Sequence, residues 1–216
     1  MKLVVVGGQA RKVGKTSVMT GLIRGLNALD WTAVKISHHA GDADGQDTSP
    51  ADELPAHLDF QLSEETDPKG RGDTSLYLRA GARRALWLRA RGGKLAPALP
   101  ALLEALGSDE HVIVESNSIL ALLEPAVFLF VVGESGGELK ASARQLLGRA
   151  DAFVAVGPEV SPQPCTATSL RIPEGKRAFL VTAGEWSNPA LCRFVGERLA
   201  ATEIRQRPPH PSGDGW

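Results

Sequence analysis

The segment that most narrows what this chain can fold into lies at its start. An unbroken apolar run, Leu3 to Val6, leads into Gly7-Gly8-Gln9-Ala10-Arg11-Lys12-Val13-Gly14-Lys15-Thr16-Ser17, and helical spacing follows. A buried strand, a glycine loop and a helix start in that order form a concave row of backbone N–H groups with the positive end of a helix beneath it. Phosphate is the ligand that such a row fits. The usual spacing, G-x-x-x-x-G-K-[ST], would put its first glycine at Gln9. Here Gly8 supplies it one position earlier, and five residues precede Gly14-Lys15-Thr16. Glycines still allow the tight turn and the close backbone approach. The expected phosphate cradle is therefore Gly8, Gln9, Ala10, Arg11, Lys12, Val13, Gly14, Lys15, Thr16 and Ser17. Lys15 is expected to reach the β and γ phosphates of ATP or GTP, and the Thr16 hydroxyl to ligate Mg²⁺.

Further strand-like runs recur at Thr32–Ile36, Ala85–Leu88, Val112–Val114, Val127–Val132, Phe153–Val156 and Ala178–Val181. Most are apolar at successive positions, the mark of strands covered on both faces. Helical spacing fills the gaps at Thr16–Ala28, Thr74–Ala80, Leu95–Leu106, Leu139–Arg149 and Pro189–Ala201, the last with Asn188 as N-cap and Pro189 in the first turn. This alternation predicts a three-layer α/β P-loop fold with a mainly parallel sheet over residues 1–204. Residues 42–71 carry nine acidic residues against two basic ones, with three prolines and no sustained periodicity. That composition predicts an acidic insertion, either solvated or acting as a lid. The proline-rich segment 205–216 is expected to be a flexible tail.

Composition excludes more than it selects. The net charge is −1 and the apolar fraction 43%, so neither nucleic acid nor an anionic membrane is expected as a partner. Two cysteines make no disulfide framework. The longest apolar run, Ala126–Val132, is far short of the roughly 20 residues of a membrane span. Met1-Lys2 runs straight into a strand, so no secretory leader is expected and a cytoplasmic location is.

Two more residues carry chemistry. His111-Val112-Ile113-Val114 is a strand pattern that delivers Glu115 at its end, where an acid is needed to hold Mg²⁺ or its waters. Lys35 sits among apolar residues near the end of the second strand, where a buried ammonium needs a phosphate or carboxylate. Lys15, Lys35 and Glu115 are the candidate catalytic groups, and Thr16 and Glu115 the candidate metal ligands. His38-His39 beside Asp42 and Asp44 lack a third soft ligand at a recognisable spacing, so phosphate or substrate contact is favoured over a transition metal.

The six-residue step from Gly8 to Gly14 resembles the loop of dethiobiotin synthetase. Four segments in order also resemble the molybdopterin-guanine dinucleotide biosynthesis protein B family: the glycine loop; Val34-Lys35-Ile36-Ser37-His38-His39; Gly70-Arg71-Gly72-Asp73-Thr74-Ser75 running to Arg79-Ala80-Gly81-Ala82; and Val112-Ile113-Val114-Glu115. The resemblance stops short of Pro125. It implies a homodimer that binds and slowly hydrolyses GTP, with a partner protein in molybdenum cofactor biosynthesis. The dethiobiotin synthetase likeness implies instead an ATP-dependent, carboxylate-activating ligase. A nucleotide-gated binding module is a third expectation. No Asn/Thr-Lys-x-Asp motif follows the later strands, so the sequence assigns no base.

Overall fold

A computed structural model describes residues 1–39, 54–133, 141–157, 172–182, 186, 188–201 and 205–206. Ten strands and five helices alternate along them. The strands are β1 (Lys2–Gly8), β2 (Thr32–His39), β3 (Phe60–Glu65), β4 (Arg84–Arg91), β5 (His111–Glu115), β6 (Leu123–Glu124), β7 (Val127–Gly133), β8 (Ala152–Gly157), β9 (Arg177–Thr182) and β10 (Arg205–Gln206). The helices are α1 (Lys15–Gly25), α2 (Asp73–Ala80), α3 (Leu95–Leu106), α4 (Ala141–Arg144) and α5 (Pro189–Ala200).

Eight strands form one sheet in the order β3-β4-β2-β5-β1-β7-β8-β9. All pairings in it are parallel except β3 with β4. The fold is thus the expected α/β arrangement. β1, β5 and β7 occupy the middle of the sheet, and β7 is buried at every position, which explains its unbroken apolar run. Two apolar layers lie on opposite faces. One joins Val4, Val6, Ala33 and Ile113 to Met19 and Leu22 of α1, Tyr77 of α2 and Phe194 of α5. The other joins Leu3, Val34, Leu88 and Val112 to Leu95, Leu102 and Leu106 of α3.

Local signals fixed several helix ends. Asn188 accepts hydrogen bonds from the N–H groups of Ala190 (2.9 Å) and Leu191 (3.0 Å) and so caps α5. The helix expected over Leu139–Arg149 is shorter: α4 covers Ala141–Arg144, and a 3₁₀ turn follows at Leu147–Arg149.

The acidic stretch 42–71 divides. Residues 40–53 lie outside the described residues, and with them the lid expected there. Phe60–Glu65 is an edge strand of the sheet and not part of a solvated or lid-like insertion. Phe60 and Leu62 pack on the α3 layer, while the alternate residues Gln61 and Ser63 take the other face. This short period of two is masked in the sequence by the adjacent acids Glu64 and Glu65. Of the expected tail, Arg205–Gln206 pairs antiparallel with β6; residues 207–216 lie outside the described residues.

Candidate functional site

Parallel register builds the site before any side chain is considered. Val6 of β1 lies beside Glu115 of β5, and Glu115 lies beside Lys35 of β2. Glu115, the last residue of β5, is thus level with Val6 near the end of β1 and with Lys35; Lys35 lies in the middle of β2 and not near its end, because β2 runs on to His39 beside β4.

That loop is shaped by its glycines. Gly14, the N-cap of α1, has φ +94°, a left-handed conformation that side-chain-bearing residues rarely adopt. A Cβ on Gly8 would come within 2.9 Å of the Val131 carbonyl oxygen. α1 has no acidic residue in its first turn and no side chain capping its N-terminus, so its first N–H groups and its positive end are free for an anion. Lys15 folds back over the loop, its ammonium donating to the Ala10 carbonyl at 2.7 Å. Burial lowers the Lys15 pKa, with the charges of Lys35 and Arg11 pulling the same way and Glu115 and Asp73 opposing. A half-buried cation whose hydrogen bond goes to a backbone carbonyl, beside uncapped helix N–H groups, fits a phosphate.

Opposite the loop stands Glu115, whose side chain is only 6% exposed. Its Oε2 accepts hydrogen bonds from the Thr16 hydroxyl at 2.8 Å and the Tyr77 hydroxyl at 2.6 Å. Its Oε1 accepts from the Lys35 ammonium at 2.7 Å, and that ammonium also pairs with Asp73 at 2.8 Å. Burial pushes the Glu115 carboxyl upward, but the Lys35 ammonium, the hydrogen bonds from Lys35 and Tyr77, and the charge of Lys15 outweigh it and hold its pKa below the ordinary value. Burial likewise opposes the charge on Lys35, and Glu115 and Asp73 together overcome it and raise the pKa. The Tyr77 hydroxyl is pushed well above its ordinary value by burial and by Glu115; it is a neutral donor. The adjoining hydroxyl and carboxylate of Thr16 and Glu115 are hard oxygen donors that suit Mg²⁺.

The structure brings together Thr16, Lys35 and Glu115, as the sequence leads one to expect, with Lys15 nearby. His38 is exposed, and its Nε2 lies 2.5 Å from the Ser118 hydroxyl. Among the described residues no cluster of three His, Cys, Asp or Glu side chains is set to hold a metal, and no helix is long and apolar enough to cross a membrane.

Three residues were not assigned roles from the sequence. Asp73 and Tyr77 are one helical turn apart on α2 and so share a face toward Glu115; Tyr77 is the chain's single tyrosine. Asn117 grips the loop from below, accepting from the Gly8 N–H and donating to the Gly8 carbonyl, both at 2.9 Å. Its signal was its place two residues beyond the strand-end acid.

No family model matches the chain, and no curated protein does. Among solved structures, the "apo" form of LpxK from Aquifex aeolicus in complex with ATP is similar at 17% identity and a TM-score of 0.48, covering 83% of this chain and 53% of that one. The chain thus spans about half the length of that protein. At that score the likeness adds no weight to the fold, which rests on the strand order and register above.

Proposed function

We propose that the chain binds a nucleoside triphosphate with Mg²⁺ at the loop Gly8–Ser17 and hydrolyses it. The observation that carries this reading is the row Val6, Glu115, Lys35, which sets a carboxylate 2.8 Å from the Thr16 hydroxyl directly after a glycine loop and an uncapped helix start. Phosphate oxygens replace the Ala10 carbonyl as the partner of Lys15, so the loop's N–H groups and the ammonium converge on one anion. Thr16 and Glu115 would hold Mg²⁺, which would supply positive charge against the phosphate oxygens. Lys35 is already charged and shared between two carboxylates, so it can lend a hydrogen bond to phosphate without first gaining a proton. Tyr77 keeps Glu115 oriented. In hydrolysis, water attacks the γ-phosphorus, and the bond to the bridging oxygen breaks to release inorganic phosphate and the diphosphate.

Within this class, the motifs Val34–His39, Gly70–Ala82 and Val112–Glu115 support an accessory role in forming molybdopterin guanine dinucleotide, as a homodimer. The primary test is calorimetric titration of ATP and of GTP with Mg²⁺ into wild type and Lys15→Ala. Saturable binding of one nucleotide by wild type alone is expected; none by either protein overturns the reading. The finer role is tested by the molybdopterin guanine dinucleotide content of cells lacking the chain, which is expected to fall, and the dimer by light scattering.

A second reading is transfer of the γ-phosphoryl group to a substrate carboxylate, the carboxylate oxygen attacking phosphorus and the nucleoside diphosphate leaving. Its support is the polar sheet face beside Lys35. Nucleotide consumption that requires a carboxylic acid separates it from plain hydrolysis.

A further inference from the structure

The row of register partners does not stop at Lys35. Register continues it to Trp87 on β4 and to Ser63 on β3. Two residues further along β2 and β4, Ser37 and Arg89 are again neighbours, and side-chain alternation puts them on the same face as Lys35 and Trp87. α2 covers that face nearer its base, through Tyr77 and Ala80, and its first residue, Asp73, ends at Lys35.

Arg89 is unlike the other arginines of its strand. Arg84 pairs with Glu64 and Asp109, and Arg91 donates to the carbonyls of Leu58, Leu54 and Pro55. Arg89 is half-buried, its Nε is shielded without a hydrogen-bond partner, and no carboxylate pairs with it among the described residues. Its guanidinium carbon lies 4.4 Å from the centre of the Trp87 ring. Trp87 is itself fixed, its indole N–H donating to the Ser37 hydroxyl at 3.0 Å. A planar cation stacked on a tethered indole is held in one orientation in advance of any ligand. A half-buried guanidinium without an oxygen partner is costly, and it is the group best suited to grip a carboxylate or phosphate with two parallel hydrogen bonds.

We infer that Arg89, on its Trp87 platform, is the oxyanion-binding residue of a second-ligand subsite, which takes a small molecule bearing a carboxylate or phosphate. Strand geometry sets the Arg89 backbone about 8 Å from that of Lys35, one strand over and two residues on. A small molecule anchored at Arg89 therefore extends toward Lys35 and Asp73. The place of this subsite beside a triphosphate rests on the function proposed above; the oxyanion contact itself does not.

The test titrates sulfate, a tetrahedral oxyanion, and malonate, a carboxylate, into protein saturated with Mg²⁺ and a non-hydrolysable triphosphate analogue. Filling the loop first leaves Arg89 as the site that is read. Wild type is expected to bind at least one oxyanion saturably, and the preferred one identifies the ligand as phosphate or carboxylate. Arg89→Ala is expected to weaken that binding by about tenfold or more, a difference of about 1.4 kcal/mol, with affinity for the analogue unchanged. Arg89→Lys keeps the charge but loses the two-pronged grip, so it falls between; it also serves if the alanine variant misfolds. Equal oxyanion affinity in Arg89→Ala, or no saturable binding by wild type, overturns the inference. The same titrations on Lys15→Ala keep the two readings apart. Failure of wild type to bind the analogue sinks the nucleotide reading, while an Arg89-dependent signal in the Lys15→Ala background still supports the subsite.

Discussion

β5 is bracketed by two buried acids, Asp109 just before it and Glu115 at its end, and their partners differ in kind. Asp109 accepts from the Thr32 hydroxyl at 2.8 Å and pairs with the guanidinium groups of Arg83 and Arg84. These arginines border β4, so the cluster ties β2, β4 and the turn before β5 at the base of the sheet. Glu115 is held by two hydroxyls and one ammonium, from Thr16, Tyr77 and Lys35. Guanidinium forks fix geometry, whereas a threonine hydroxyl and a lysine are partners that a metal ion or a phosphate oxygen can replace. On the function proposed above, the strand's beginning stays closed and its end exchanges. Strand ends that face loops and helix starts are where α/β sheets place their ligands.

The difference can be broken in four places. The largest effect is expected at the exchanging end, where Lys15→Ala should weaken nucleotide binding by roughly a thousandfold, about 4 kcal/mol, with little change in melting temperature. Equal affinity, measured calorimetrically, would falsify the placing of phosphate at this loop.

Glu115→Gln comes next, with kcat expected to fall about a hundredfold, near 2.7 kcal/mol, and nucleotide affinity nearly unchanged. An unaltered kcat at saturating Mg²⁺ leaves Glu115 as a structural acid like Asp109. The same variant has a pH signature. Because folding lowers the Glu115 pKa from its ordinary value, its stabilisation is present above the unfolded pKa and is lost as pH falls through the folded one. Acid unfolding followed by circular dichroism should therefore be less steep in Glu115→Gln than in wild type.

At the closed end, Asp109→Asn should cost about 2 kcal/mol of stability: the carboxylate is buried, but the Arg83 side chain is 47% exposed and partly screened. Urea unfolding reads the loss, and nucleotide affinity should stay the same. A variant of normal stability and impaired binding would reverse the roles assigned to the two ends.

The smallest expected effect is that of Asn117→Ala, which leaves the Gly8 N–H and carbonyl without their partner. It should cost about 1 kcal/mol, seen as a severalfold loss of nucleotide affinity. Lower stability with unchanged affinity would make Asn117 a prop of the core and not of the loop.

How far the chain could be read from its residues varies along it. The buried strands, the glycine loop, Lys15, Thr16, the strand-end acid and the odd lysine of β2 were all legible, because each is announced by its immediate neighbours. β3 was not: it has one short alternation, two acids at its end, and no company until β4 is folded beside it. Arg89 reads in sequence as one more arginine in an alternating strand, and only the Trp87 ring beneath it and the lack of a paired acid among the described residues distinguish it.

What the sequence determined by itself is the local chemistry of the backbone. Continuous β-branched runs make covered strands, glycines free the loop after β1, and Asn188-Pro189 starts a helix. The tertiary structure decided who meets whom. Tyr77 reaches Glu115 across 38 positions, Lys35 across 80, and Asn117 reaches Gly8 across 109. Those meetings follow from strand order and register, which minimise exposed apolar area over the whole sheet at once. No window of neighbouring residues contains that sum, so the partners of Glu115 and the stacking of Arg89 on Trp87 exist only once the sheet has closed.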